Sequence, residues 1–118
     1  MNFIVSGMTY LRYFLPIAIE GKKRGIESRF FICRSNKPNC PFVWREVLRN
    51  LSNKYGFSVH EVQDVKNFKG VTFIIENDGL QHLDSNHYKV SLTYLLDFYA
   101  LYDSYKDHVD KVILLSEF

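Results

Sequence analysis

At 118 residues the chain amounts to one domain, long enough to bury about two-thirds of its unfolded surface and to hold a core without disulfide or metal staples. Hydrophobic residues make up 47% and aromatic residues 16%, which excludes a disordered chain, and a net charge of +2 with scattered basic residues gives no footprint for nucleic acid. No apolar run approaches the roughly 18–20 residues needed to cross a bilayer, and the first apolar segment follows Met1 directly, with no room for a cleavable leader, so the expected compartment is the cytoplasm.

Asn2 to Ser6 is a short apolar run that breaks at Ser6-Gly7. Apolar residues then fall at Leu11, Phe14, Leu15, Ala18 and Ile19, the offsets of a helical stripe. Thr9 is the expected N-cap, and Lys22-Lys23-Arg24 before Gly25 suits the negative end of the helix dipole and a glycine C-cap. A second apolar run, Arg29 to Cys33, follows at once. Strand, helix and strand joined by so short a return predict a right-handed parallel βαβ unit.

Arg34 to Pro41 is rich in turn formers and reads as a loop. Cys33 and Cys40, seven apart with no second pair to complete a zinc site, read as free thiols in a reducing compartment. Trp44, Val47, Leu48, Leu51 and Tyr55 repeat the helical stripe and Gly56 closes it. Phe57 to Val62 alternates as a third strand, and polar Gln63 to Gly70 is expected to wind around the sheet edge. Val71 to Ile75 is the most β-branched apolar run, as a central strand buried on both faces would be. It ends in the polar cluster Glu76-Asn77-Asp78-Gly79. Tyr88 to Leu92 predicts a fifth strand, Leu95 to Tyr105 a helix, and Lys111 to Leu115 a sixth strand with only three residues after it. The expected fold is α/β: a doubly wound, mainly parallel sheet of about six strands in a Rossmann-like three-layer sandwich. A last strand without a covering helix suggests the N-terminal half of a longer, two-domain protein.

In an open parallel sheet a ligand binds beyond the carboxyl ends of the strands where strand order reverses, here between strands one and four. Ser6, Gly7, Met8 and Thr9 follow the first of these, and Glu76, Asn77 and Asp78 the other. Those two loops are expected to face each other, with Gly7 admitting a ligand to the backbone and the first helical amides holding a hydroxyl or phosphate oxygen. Neither G-x-G-x-x-G nor G-x-x-x-x-G-K-[ST] is present, so a self-sufficient dinucleotide or P-loop site is not expected, and no cofactor is.

The stretch SGMTYLRYFLPIAIEGKKRGIESRFFI resembles the opening of GT-B glycosyltransferases and the related UDP-sugar 2-epimerases: a small-residue loop, a helix with mid-helix Pro16, then the basic-Gly-x-Glu turn Arg24-Gly25-Ile26-Glu27. VSLTYLLDFYALYDSYKDHVDKVILLSEF is similar to a later part of those enzymes, in which a helix leads through Val-Asp to a strand and a serine. The resemblance implies two Rossmann-like domains across a cleft, this one holding a sugar or lipid-linked acceptor and a missing C-terminal one gripping the nucleotide-sugar donor, in glycan or polysaccharide biosynthesis. It carries no known catalytic residue onto a position of this chain.

Inverting sugar transfer needs a base for the acceptor hydroxyl, and Glu76 and Asp78 are the best placed candidates, against the plainer reading of Asp78-Gly79 as a turn. Arg12 joins the candidate binding residues, as does Asp97, whose place near a helix start is also ordinary dipole compensation. His60, His82 and His87 lack partners at metal-ligand spacing, so structural roles and no metal are expected. The tyrosines at 94, 99, 102 and 105 fall at helical spacing and read as core or interface. Tyr10, Arg12, Tyr13 and the run Lys22 to Arg24 would suit a membrane surface bearing a lipid-linked acceptor, and equally a solvated helix face. Two other readings stay open beside the transferase half: a stand-alone flavodoxin-like binding or regulatory module, and the non-catalytic subunit of a split transferase. A homodimer is compatible with any of them. A phosphoreceiver domain is disfavoured, because no acidic pair follows strand one and no aspartate ends strand three.

Overall fold

The computed structural model describes residues 1–33, 43–94 and 103–115, with side chains of 43–45 and 94 excepted. Strands β1 (Asn2–Val5), β2 (Arg29–Ile32), β3 (Ser58–Glu61), β4 (Gly70–Ile75), β5 (His87–Tyr94) and β6 (Lys111–Leu115) form one sheet in the order β3-β2-β1-β4-β5-β6. Every pairing is parallel. Helices α1 (Met8–Lys23) and α2 (Val43–Tyr55) supply the crossovers from β1 to β2 and from β2 to β3. Their residues pack with one sheet face, and short 3-10 segments, Val62–Asn67 and Leu80–His82, pack on the other. This is a Rossmann-like three-layer arrangement.

Strands β1, β2 and β3 are four residues long and place two side chains on either face. In β1, Phe3 and Val5 point into the helix-side core while Ile4 joins Phe31, Ile74, Val62 and Val65 on the far side. Alternation with both faces apolar is what a central parallel strand needs. The register stacks three phenylalanines across the sheet: Phe3 lies 5.0 Å from Phe30 and 5.0 Å from Phe73, ring centroid to centroid, and Phe14 of α1 caps Phe3 at 5.2 Å. Leu11, Phe14, Ala18 and Gly21 make the buried stripe of α1, so the helical period reads through to the packing.

At the amino ends of the strands a buried amide ties β1 to its neighbours. Asn2 donates from Nδ2 to the Phe68 carbonyl (2.9 Å) and to Thr72 Oγ1 (3.2 Å), and its Oδ1 accepts from Arg29 (3.4 Å). The buried His87 ring bridges the Val65 carbonyl through Nε2 (2.9 Å) and accepts the Asp84 amide on Nδ1 (3.1 Å). Asp84 Oδ1 also lies 3.1 Å from Nδ1, so the ring is held between a backbone carbonyl and the Asp84 turn.

Several sequence expectations need correction. The N-cap of α1 is Gly7 rather than Thr9, and it makes no side-chain cap bond. Gln63 to Gly70 does not simply skirt the sheet edge: Val62 and Val65, three apart in a 3-10 turn, bury themselves under the second face, and Val65 is fully enclosed. The central strand is not covered along its whole length, since Gly70 and Val71 are exposed and burial begins at Thr72. The fifth strand is longer than predicted, running from His87 to Tyr94. The predicted helix Leu95 to Tyr105 lies mostly outside the described residues, as do Asp97 and Cys40. Strand β6 leaves Ile113 and Leu114, on opposite faces, 36% and 52% exposed, while Leu115 packs on the core. Among the described residues no helix is long and apolar enough to cross a membrane.

Candidate functional site

Strand order reverses between β1 and β4, because β2 lies beyond β1 on one side and β5 beyond β4 on the other. The loops after these two strands meet, as their places in the sheet require. The β1 loop reaches α1 in two residues: Ser6 is half-buried, and Gly7, in extended backbone (φ −177°), starts the helix. A Cβ at Gly7 would meet nothing within 4 Å, so the backbone there borders open space.

The β4 loop turns back more sharply. Glu76 is the one non-glycine residue with positive φ among those described, at +52°. Its amide donates to the Leu92 carbonyl (2.9 Å) and its carbonyl accepts from Ser91 Oγ (2.6 Å), two bonds that hold a conformation most side chains avoid. Gly79 completes the turn at φ +92°. Its missing Cβ is required twice over, since a methyl group there would lie 2.6 Å from Cγ2 of the fully buried Ile4. The outcome is that Asp78 is carried back over the end of β1.

Asp78 Oδ2 accepts two hydroxyl hydrogen bonds, from Ser6 Oγ at 2.5 Å and from Tyr10 Oη at 2.6 Å. The donors lie 72 and 68 residues away in sequence and flank the start of α1. Among the described residues nothing donates to the other oxygen, Oδ1. Cys33, at the end of β2, completes the group, its thiol lying close enough to Ser6 and Asp78 to feel both. Burial pushes the Tyr10 phenol well above its ordinary range, and both the bond to Asp78 and that carboxylate's charge add to the effect. Burial also raises the Cys33 thiol, the Ser6 hydroxyl offsetting it in part and the Asp78 charge adding to it. At neutral pH the site therefore holds a neutral phenol donor and a protonated thiol, which is no nucleophile.

No family model matches this sequence, and no curated protein or solved structure matches it significantly. The chemistry of the site rests on these side chains alone.

Of the residues expected here, Ser6 and Asp78 are joined directly and Gly7 lies between Ser6 and the helix. Met8, Thr9 and Asn77 are exposed at the rim, and the Asn77 carbonyl accepts from Leu80 (3.1 Å) within the turn. Glu76 sits half-buried at the bend and shapes it through its backbone. Arg12 is exposed, its guanidinium 5.9 Å from the Tyr13 ring centroid. The two residues not foreseen are Tyr10 and Cys33. Tyr10 reads from sequence, with Arg12 and Tyr13, as part of a membrane-facing or solvated helix face, and only the position of β4 shows what its hydroxyl meets. Among the described residues no group of three or more His, Cys, Asp or Glu could hold a metal ion.

The basic run at the end of α1 is occupied. Lys22 donates to the Tyr55 carbonyl, Lys23 lies 4.0 Å from Glu20, and Arg24 lies 3.3 Å from it. These contacts suit a solvated helix end tied to α2.

Proposed function

We propose that this chain is the acceptor-side domain of a GT-B glycosyltransferase in glycan or polysaccharide biosynthesis, its switch-point loops holding the acceptor while a second Rossmann-like domain holds the nucleotide-sugar. The observation that supports this best is the Asp78 carboxylate, fixed through Oδ2 by Ser6 and Tyr10 with Oδ1 turned to no described donor. Such a group serves as a general base: Oδ1 takes the proton of an acceptor hydroxyl as the hydroxyl oxygen bonds to the anomeric carbon and the nucleoside diphosphate leaves with the electron pair of the broken bond. Tyr10 and Ser6 orient the carboxylate. The absence of G-x-G-x-x-G and of a P-loop motif fits a domain that leaves the nucleotide to another lobe.

The test is a titration of UDP- and CDP-sugars against this chain, alone and together with any domain encoded downstream of it. The expected result is no nucleotide-sugar affinity for the chain alone and turnover once the second domain is supplied. Asp78→Ala should keep the fold and lower turnover about 10²–10⁴-fold, the usual contribution of a positioned base. Glu76→Ala, at the strained bend, should weaken acceptor use less. Full turnover in both variants removes the pair from the chemistry, and tight nucleotide binding by the chain alone favours a stand-alone module.

A further inference from the structure

Behind the bend that carries Asp78 runs a row of buried hydroxyls. Tyr105 Oη lies 2.8 Å from Thr93 Oγ1, Thr93 Oγ1 lies 3.0 Å from Ser91 Oγ, and Ser91 Oγ donates to the Glu76 carbonyl at 2.6 Å. Ser91 and Thr93, two apart on β5, face the same side of the sheet, and the three side chains are 0%, 1% and 2% exposed in the order Ser91, Thr93, Tyr105. Each hydroxyl has one proton to give. Ser91 gives its own to Glu76, so it accepts from Thr93, and Thr93 in turn accepts from Tyr105. The row therefore has one direction, and in a buried setting each bond polarises the next.

The near end of the row anchors an otherwise exposed stretch: from 103 to 108, Tyr105 is the single buried residue. The far end is the strained bend, where Glu76 holds a φ of +52° that persists only while its surroundings over-determine it. Two residues on, the Asp78 amide donates to the Ile75 carbonyl (2.9 Å) and its carboxylate accepts from Ser6 and Tyr10. We propose that Tyr105 is a positioning residue for Asp78, acting through Thr93 and Ser91 on the Glu76 bend. The inference deepens the general-base reading and rests on it for its use in transfer, whereas the placing of the carboxylate is measurable without any substrate. A movement that draws residues 103–108 off the sheet withdraws the first donor of the row and loosens the carboxylate.

The experiment is carbon NMR on the whole chain near neutral pH, following Cζ of Tyr10, which reports whether its phenol donates to Asp78. Asp78→Ala supplies the resonance with that bond lost. Tyr105→Phe removes the first hydroxyl of the row and Thr93→Val the middle one. Each should shift Tyr10 Cζ part of the way to its Asp78→Ala position, while Thr93→Ser, which keeps the hydroxyl, should leave it as in wild type. Glycine adopts positive φ without support, so in the Glu76→Gly background Tyr105→Phe should cause no such shift, whereas a mere loss of packing would act alike in both backgrounds. Should Tyr105→Phe not fold, Thr93→Val against Thr93→Ser carries the same comparison. Tyr10 unmoved in the folded variants overturns the proposal, as does an equal shift in the Glu76→Gly background. A shift of Tyr10 that follows the row, beside a failure of sugar transfer with the second domain supplied, upholds the positioning and removes the transferase reading.

Discussion

Replacing Gly79 by alanine tests the turn that delivers Asp78. Two costs add. At φ +92° an L residue is strained by roughly 1–2 kcal/mol. The new methyl would stand 2.6 Å from Ile4 Cγ2 and 3.1 Å from Cδ1, and Ile4 is enclosed in the far-side core with Phe31 and Ile74, so it has no flexible end to swing away. Overpacking of that kind costs about 1–3 kcal/mol. The sum, about 2–5 kcal/mol, is a large share of the roughly 5–15 kcal/mol by which a domain of this size is stable. Urea unfolding followed by circular dichroism should show the midpoint falling at constant slope. Gly7→Ser is the control: its backbone is extended, the added atoms meet open space, and serine is a better N-cap than glycine, so stability should be unchanged or slightly higher. A double-mutant cycle with Ile4→Ala separates the terms, because removing the clash leaves only backbone strain, and the second substitution should then cost less. Gly79→Ala within about 0.5 kcal/mol of wild type would refute both the steric and the conformational reasoning.

Phe3→Ala should cost about 3–5 kcal/mol in the same assay, because it removes the ring that stacks on Phe30 and Phe73 and receives Phe14; a loss below about 1 kcal/mol would mean the ladder is not a core element. The raised pKa values of Tyr10 and Cys33 mean that the folded chain holds their protons more tightly than the unfolded chain, whose ordinary values are 10.0 and 9.0. The stability this contributes is present in full below about pH 9 and is lost as pH rises through the folded values, so Tyr10→Phe with Cys33→Ser should flatten the alkaline fall in urea midpoint. An alkaline slope identical in the double variant would refute the assignment.

Much of the architecture was legible in local pattern. The stripe Leu11, Phe14, Ala18 is the buried face of α1, the runs at Phe3, Phe30 and Phe73 are its sheet partners, and Gly25 and Gly56 close the two helices at φ +78° and +75°. Alternating strands and helices predict parallel pairing, and with it the meeting of the loops after the first and fourth strands, where Ser6 and Asp78 are joined. Periodicity reports only which way a residue faces along its own element. It could not show that Val65, isolated among polar neighbours, closes the underside of the sheet, or that a carboxylate from β4 joins the hydroxyls on either side of the helix start. Tyr10 and Cys33 entered the site for the same reason. Their partners are distant in sequence, and it is the order of strands in the sheet, set by which faces must be buried together, that brings them side by side.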